Sequence, residues 1–380
     1  MSKVILSGSR NIKKFNHPRK SSHEVIDALP ISLRKIWKPL DAIDIRINSS
    51  LDYQLIHSFN RIPYTTKPWI ITFESSLPRI LKTDIFKNGA YALKKRLTER
   101  LALENCKKII AMSEYAKNIF VQRNKDIERK LLEKIIDKVE VIHPNIVVKS
   151  RTPKQYKRGE TLKMVFIGNN FARKGGFVVL RLADEAQKRG LPVDFHIVSA
   201  LNYGSHVYTD HSDNWRYDED LKLLNLSNVT FYEKIANQKV IQLLSESHLQ
   251  IMPTFHDTYG FSIIEGFSVA TPAITTNVCA LPEIVHPDKN GYLLNLEVNQ
   301  NNGWNQIYPR GSQNYWDRLD STSNDLVAQA LKLLQELLDS PNHYEQLSAG
   351  AIAQAEEVHS SEKTGELLDN LYTKIANGLI

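Results

Sequence analysis

Short, almost wholly apolar runs recur along the 380 residues, and between them lie segments whose apolar side chains return every three or four positions. The first pattern predicts strands and the second helices. In the first half, residues 4–6 read as a strand opening into a basic loop over 7–20. Residues 53–57 and 69–73 read as strands, the second introduced by Lys67-Pro68. Leu93, Leu97 and Leu101 predict a helix over 90–104. Residues 108–112 form a buried-strand run that stops at Ser113, an N-cap for a helix through Phe120. Residues 139–142 predict a further strand, closed by His143-Pro144-Asn145. The basic stretch 149–161, with Pro153 and Gly159 and few apolar side chains, predicts an interdomain linker.

The second half alternates more regularly. Strands are predicted over 162–168, 194–198, 228–232, 249–253 and 273–276. Helices are predicted over 176–189, stopping at Gly190, and over 237–247 and 261–270; the tail is helical over 325–338 and from 343 onward. This rhythm predicts an α/β fold, with a parallel sheet covered by helices on both faces. The length suits two domains, placed at 1–150 and 160–361. No internal repeat is visible.

Apolar residues at 42% and charged residues at 24% are ordinary globular values, which excludes a disordered chain, a collagen and a coiled-coil rod. No run approaches the 18 or so apolar residues of a membrane-spanning helix. Two cysteines, Cys106 and Cys279, exclude a disulfide framework and a Cys-rich zinc site, and fit a reducing compartment. The net charge of +7 hides an asymmetry: residues 1–160 hold 33 Lys and Arg against 16 Asp and Glu, the remainder 16 against 26. A basic first half favours an anionic acceptor or an anionic membrane surface. It lacks the aromatic-basic motifs of a nucleic-acid binder. Residues 1–23 contain no acid, as in a transit peptide, but the apolar run 4–6 is too short for a signal-peptide core and reads as a strand.

Two constellations carry candidate chemistry. Gly168-Asn169-Asn170-Phe171-Ala172-Arg173-Lys174-Gly175-Gly176 lies between a predicted strand and helix. Glycine permits the tight turn, the helix start offers free amides, and Arg173 and Lys174 add cations, an arrangement suited to a diphosphate. It is neither Gly-x-Gly-x-x-Gly nor a Walker loop; the plainer reading is a basic turn before an ordinary helix. The second is Asp257-Thr258-Tyr259-Gly260-Phe261-Ser262-Ile263-Ile264-Glu265-Gly266. Asp257 falls at a helix mouth and Glu265 inside that helix, where carboxylates accept hydrogen bonds from vicinal hydroxyls. The amides at Gly260 and Phe261 would share the pocket. Here the plainer reading is a capping Asp and a surface Glu.

In this order, with Thr271-Pro272-Ala273-Ile274, Leu281-Pro282-Glu283-Ile284-Val285 and Asn290-Gly291-Tyr292-Leu293-Leu294 following, residues 161–295 resemble the retaining GT-B glycosyltransferases of family GT4 (glycosyl transferases group 1). The resemblance implies two Rossmann-like domains facing a central cleft. The first would be an acceptor-side domain over 1–150, with a C-terminal helix of about 362–380 packing back on it. The second, over 160–361, would bind a nucleotide-diphosphate sugar through Gly168, Asn169, Arg173, Lys174, Tyr259, Gly260, Phe261 and Glu265. Arg173 and Lys174 would hold the diphosphate, Glu265 the ribose, and Asp257, where the family usually has Glu, the sugar hydroxyls. His57 and Glu74 compete for the catalytic position of the first domain, Glu74 being favoured as an acid after an apolar strand. Ser113-Glu114-Tyr115-Ala116-Lys117 and Ile142-His143-Pro144-Asn145 also resemble family segments, whereas Gly8 stands alone where a Gly-rich loop is common.

The implied activity is sugar transfer with retention to a glycan or lipid acceptor. No cofactor or metal is implied, the location is cytoplasmic and peripheral to the inner membrane face, and polysaccharide biosynthesis is the setting. Two alternatives fit the same motifs: a catalytically silent nucleotide-sugar-binding scaffold, and a nucleotide-sugar epimerase. Among lesser clusters, Asp218-Glu219-Asp220 reads as a solvated helix start rather than a metal triplet. His206, Asp210, His211 and Asp213 read as a polar loop. Lys94, Lys95, Arg96, Arg100, Lys107 and Lys108 read as a solvated face or as a docking site for anionic lipid.

Overall fold

The apolar runs pair as parallel strands in two six-stranded sheets. The computed structural model describes residues 2–8, 15–28, 31–45, 52–81, 86–204 and 213–380. The chain divides into two units, Met1–Val147 with Val358–Ile380, and Val148–Glu357.

The first unit contains β1 (Lys3–Ser7), β2 (Glu24–Ala28), β3 (Ile43–Asp44), β4 (Leu55–Phe59), β5 (Ile62–Pro63), β6 (Trp69–Phe73), β7 (Cys106–Ala111) and β8 (Val139–Val141). Six of them form a sheet in the order β2-β1-β4-β6-β7-β8, and β3 pairs with β5. Its helices are α1 (Lys87–Leu101), α2 (Glu114–Arg123) and α3 (Arg129–Ile136). Along each central strand alternate residues face opposite sides. Ile5, Ile56, Ile71 and Ile109 join one core with Leu97, Leu101 and Phe120. Val4, Leu55, Ile70 and Ile110 join another with Leu368, Tyr372 and Ile375. Both faces are thus covered, which is why these strands read as continuous apolar runs. Ser113 caps α2, accepting the Ala116 amide at 3.0 Å.

The second unit contains β9 (Leu162–Ile167), β10 (Val193–Val198), β11 (Val229–Tyr232), β12 (Leu249–Met252), β13 (Ala273–Thr276) and β14 (Gly291–Leu294). Its helices are α4 (Gly176–Lys188), α5 (Asp218–Lys222), α6 (Asn237–Glu246), α7 (Phe261–Phe267), α8 (Gln313–Asp339) and α9 (Tyr344–Glu357), and α10 (Ser361–Ala376) belongs to the first unit. The strand order β11-β10-β9-β12-β13-β14 is the doubly wound order, in which the chain reverses direction across the sheet between β9 and β12. Ligands of such sheets sit beyond the carboxyl ends of the strands at that switch point.

Several sequence expectations need correction. Strand β2 falls beyond the predicted basic loop, and its Glu24 and Asp27 disguised an edge strand. Helix α3 was not anticipated, and α8 starts twelve residues before the predicted 325. Helix α7 ends at Phe267, short of the predicted 270. The stretch 149–161 is strapped to the second unit rather than spanning between domains. The amides of Lys149 and Ser150 donate to the Ser268 carbonyl, and Arg151 pairs with Glu356. The Lys154 ammonium donates to the carbonyls of Leu244 and Ser247 and to Thr271 Oγ1 at 2.7–2.9 Å, meeting the open end of α6. Its cations therefore count with the second unit, leaving 30 Lys and Arg against 18 Asp and Glu in the first.

Candidate functional site

Strand β9 delivers the chain to Gly168, where a Cβ would lie 2.8 Å from both Lys174 Cδ and the Phe166 ring. The absent side chain lets Lys174 fold back over the turn. Phe171 donates to the Asn202 carbonyl and Asn202 to that of Asn169, tying the loop to the one after β10. At Gly175, φ is +82° and a Cβ would sit 2.1 Å from the Pro253 carbonyl oxygen. Only glycine allows this loop to press on the end of β12. The contact is locked by the Arg173 carbonyl, which accepts from the Phe255 amide at 2.9 Å and from Thr254 Oγ1 at 3.0 Å. The Arg173 guanidinium donates to the His256 carbonyl.

These stitches bring Lys174 Nζ to 2.9 Å from Asp257 Oδ2. Asp257 Oδ1 accepts the amides of Gly260 at 2.9 Å and Tyr259 at 3.3 Å. Asp257 is buried, which alone would raise its pKa. The Lys174 ammonium, the Arg173 guanidinium and the Gly260 amide outweigh that and hold the carboxyl down at about 2. Arg173, Lys174 and Asp257 thus form one charged cluster at the start of α4, at the switch point. Gly168 and the exposed Asn169 border it.

The remaining residues predicted for this unit divide. Tyr259 is wholly buried, and burial pushes its phenol well up. The Gly260 amide, expected to face a ligand, is already given to Asp257. Phe261 lies beside Tyr259, ring centroids 5.6 Å apart. Half-buried Glu265 accepts from Asn237 Nδ2 at 3.1 Å, across from the first residue of α6. Asp220 is not solvated as expected: Arg181 grips it bidentately at 2.7 and 2.9 Å and also reaches Asp320, so this acid joins α5 to α4 and α8. His206, Asp210 and His211 lie outside the described residues.

In the first unit the two competing residues differ sharply. His57 is wholly buried inside β4, its ring nitrogens 2.7 Å from Tyr372 Oη and Thr72 Oγ1. Burial depresses its pKa to about 3, so the imidazole is neutral. The structure brings His57 to no surface, because an odd position in a strand covered on both faces points into a core. Glu74, directly after β6, is half-buried, and its carboxylate lies 3.5 Å from Arg79.

Sequence reasoning missed the supports of the charged cluster. Thr275 and Thr276, at the end of β13, donate to the carbonyls of Met252 and Thr254. Cys279, at φ +53°, brings its Sγ to 3.4 Å from His256 Nδ1. Paired threonines closing an apolar strand were the one available signal.

Residues 148–302 match the family Glycosyl transferases group 1. The D-inositol 3-phosphate glycosyltransferase of Paenarthrobacter aurescens (strain TC1) is 22% identical over 169 residues, 42% of this chain and 40% of that protein. The aligned part thus spans about two fifths of this curated relative's length. HepE of Anabaena, solved with UDP, superposes at a TM-score of 0.61 with 12% identity, covering 98% of this chain and 100% of that one. The sucrose-phosphate synthase of Thermosynechococcus elongatus does so at 0.61 with 14% identity, covering all of both chains. The fold is therefore that of the two-domain GT-B glycosyltransferases, and the stretch that matches the group 1 family lies within the second unit.

Proposed function

We propose that the protein is a glycosyltransferase that moves a sugar from a nucleotide-diphosphate donor to an acceptor with retention of configuration. The carrying observation is the Arg173, Lys174 and Asp257 cluster at the mouth of α4, at the switch point of the donor-side sheet. Arg173, Lys174 and the positive end of the α4 dipole receive the diphosphate, and the charge that grows on it as the anomeric C–O bond breaks falls on these groups. Lys174 passes from Asp257 to a β-phosphate oxygen, which frees an Asp257 oxygen for the sugar hydroxyls. Glu265, already holding an amide donor, takes the ribose. The acceptor hydroxyl attacks the face the diphosphate vacates, and its proton leaves with the departing phosphate oxygen.

Glu74 takes the catalytic place of the first unit, because His57 is enclosed. The cationic first unit favours an anionic or membrane-associated glycan or lipid acceptor, and we read the enzyme as cytoplasmic and peripheral to the membrane. UDP is the nucleotide to test first, since a neighbour of the same fold was solved with it.

Thermal stabilisation should distinguish UDP-, GDP- and ADP-sugars, because ligand binding to the folded state raises the melting temperature. Glu265→Ala should weaken nucleotide binding, and Lys174→Ala should lower turnover more than affinity. Arg173→Ala should abolish slow hydrolysis of the donor. Variants that titrate like the parent would show the site is misplaced. Donor epimerised without acceptor would replace the transferase by an epimerase.

A further inference from the structure

Helix α1 carries Tyr91, Lys94, Lys95, Thr98 and Glu99 at spacings of three and four, so these side chains share one stripe. Facing them are Asp126 and Ile127, in the connection from α2 to α3, with Glu128 just before α3 and Leu131 in its first turn. The two walls enclose a groove of about 360 Å³, within the roughly 300–1,000 Å³ of small-molecule sites. The fold holds both walls in place. Lys94 Nζ donates to the Arg123 carbonyl at 2.7 Å and lies 3.4 Å from Asp126 Oδ1, tying α1 to the connection. Buried Asn124 donates to the carbonyls of Leu77 and Phe120 at 3.0 and 2.8 Å. Thr98 is buried and gives its hydroxyl to the Lys94 carbonyl, and Ile127 and Leu131 pack against the core. The neighbouring cations are spent: Arg100 donates to the Pro63 carbonyl and Lys108 pairs with Glu140, each at 2.7 Å. Groups inside the groove are not. Among the described residues, the side chains of Lys95, Glu99 and Glu128 make no hydrogen bond or ion pair, and the Tyr91 ring, 64% exposed, stacks on no other ring.

We propose that this groove binds a neutral oligosaccharide. A pyranose offers an apolar C–H face and a rim of hydroxyls, each both donor and acceptor. The open Tyr91 ring and the apolar flanks of Ile127 and Leu131 meet the C–H face. Glu99 and Glu128 accept from the hydroxyls, and Lys95 donates to them. Charged ligands fit less well: an anion meets three carboxylates, Asp126 included, and a cation meets two ammonium groups. The carboxylates do not converge as metal ligands would, since no group of three His, Cys, Asp or Glu side chains could hold a metal ion among the described residues. An amphipathic helix would set its apolar face against five charged side chains. The groove belongs to the first unit alone, and binding there does not depend on the charged cluster of the second. Its role as an anchor for a glycan acceptor rests on the transferase reading.

The test is calorimetric titration of the full-length protein with maltotriose, cellotriose, mannotriose and chitotriose, without nucleotide, at low and high salt. At least one should bind, with an affinity that salt leaves unchanged, because the ligand carries no charge to screen. Tyr91→Ala should weaken that binding about tenfold, and Glu99→Ala with Glu128→Ala should weaken it too. These positions are exposed, so the variants should melt at the parental temperature. Arg173→Ala should leave saccharide binding intact. Failure of all four sugars to bind, parental affinity in the Tyr91 and Glu variants, or binding abolished by Arg173→Ala would overturn the proposal. So would salt-sensitive binding of trigalacturonic acid tighter than that of every neutral sugar. Thermal stabilisation by UDP, measured on the same samples, should be equal in parent and groove variants, so failure here is separable from failure of the donor site.

Discussion

Replacing Asp257 by Asn removes a charge while leaving an oxygen to accept the Tyr259 and Gly260 amides. It therefore isolates the pairing with Lys174. The carboxyl is held at about 2 against an ordinary 3.8, which corresponds to about 2 kcal/mol of stability at neutral pH. A depressed carboxyl contributes this above its unfolded value and loses it as pH falls through the folded one. The variant at pH 7 should thus be about 2 kcal/mol less stable in urea unfolding, or more if the half-enclosed Lys174 is left uncompensated. Binding should move differently. Lys174 no longer shares itself with a carboxylate, so calorimetric affinity for UDP should hold or rise. The preference for the UDP-sugar over UDP should fall, by tenfold for each 1.4 kcal/mol of lost sugar contact. Parental stability, or an equal loss of UDP and UDP-sugar affinity, would refute the assignment of Asp257 as both the partner of Lys174 and the sugar contact.

Three further predictions follow from buried groups and tight glycines. His57 and His359 are both buried with pKa values lowered to about 3. The unfolded chain binds their protons first, so stability falls below pH 6.5, by about 2 kcal/mol per histidine at pH 5. Replacing His57 by Gln should remove one such share from a pH series of urea unfolding, and an unchanged slope would contradict its neutral, enclosed state. Gly175→Ala places a methyl 2.1 Å from the Pro253 carbonyl at φ +82°, and should cost more than the roughly 1 kcal/mol of a left-handed Ala alone while lowering donor affinity; retained affinity would mean the loop does not need this contact. Lys154→Met should loosen the strapped segment 149–156, read as faster amide exchange at Lys149 and Ser150, and unchanged exchange would show the ammonium is not its anchor.

The parallel α/β class was legible because strands buried on both faces need near-continuous apolar runs, and 69–73 and 164–167 supply them. Edge strand β2, with acids at two of five positions, gave no such signal. The residues of the charged cluster were also legible one by one: a Gly turn before a helix, two adjacent cations, and an acid after a Pro-ended strand. Their mutual pairing was not, since Lys174 and Asp257 are 83 positions apart and meet through the Gly175 contact on Pro253.

Sequence alone therefore determined the layered class and the kinds of charge on the loops of the Arg173, Lys174 and Asp257 cluster, since backbone turn preference and apolar periodicity act over a few residues. Which cations are consumed by carbonyls and carboxylates was decided only in three dimensions. Burial and ion pairing depend on the strand order that places the ends of β9 and β12 side by side, and no local stretch of chain encodes that order.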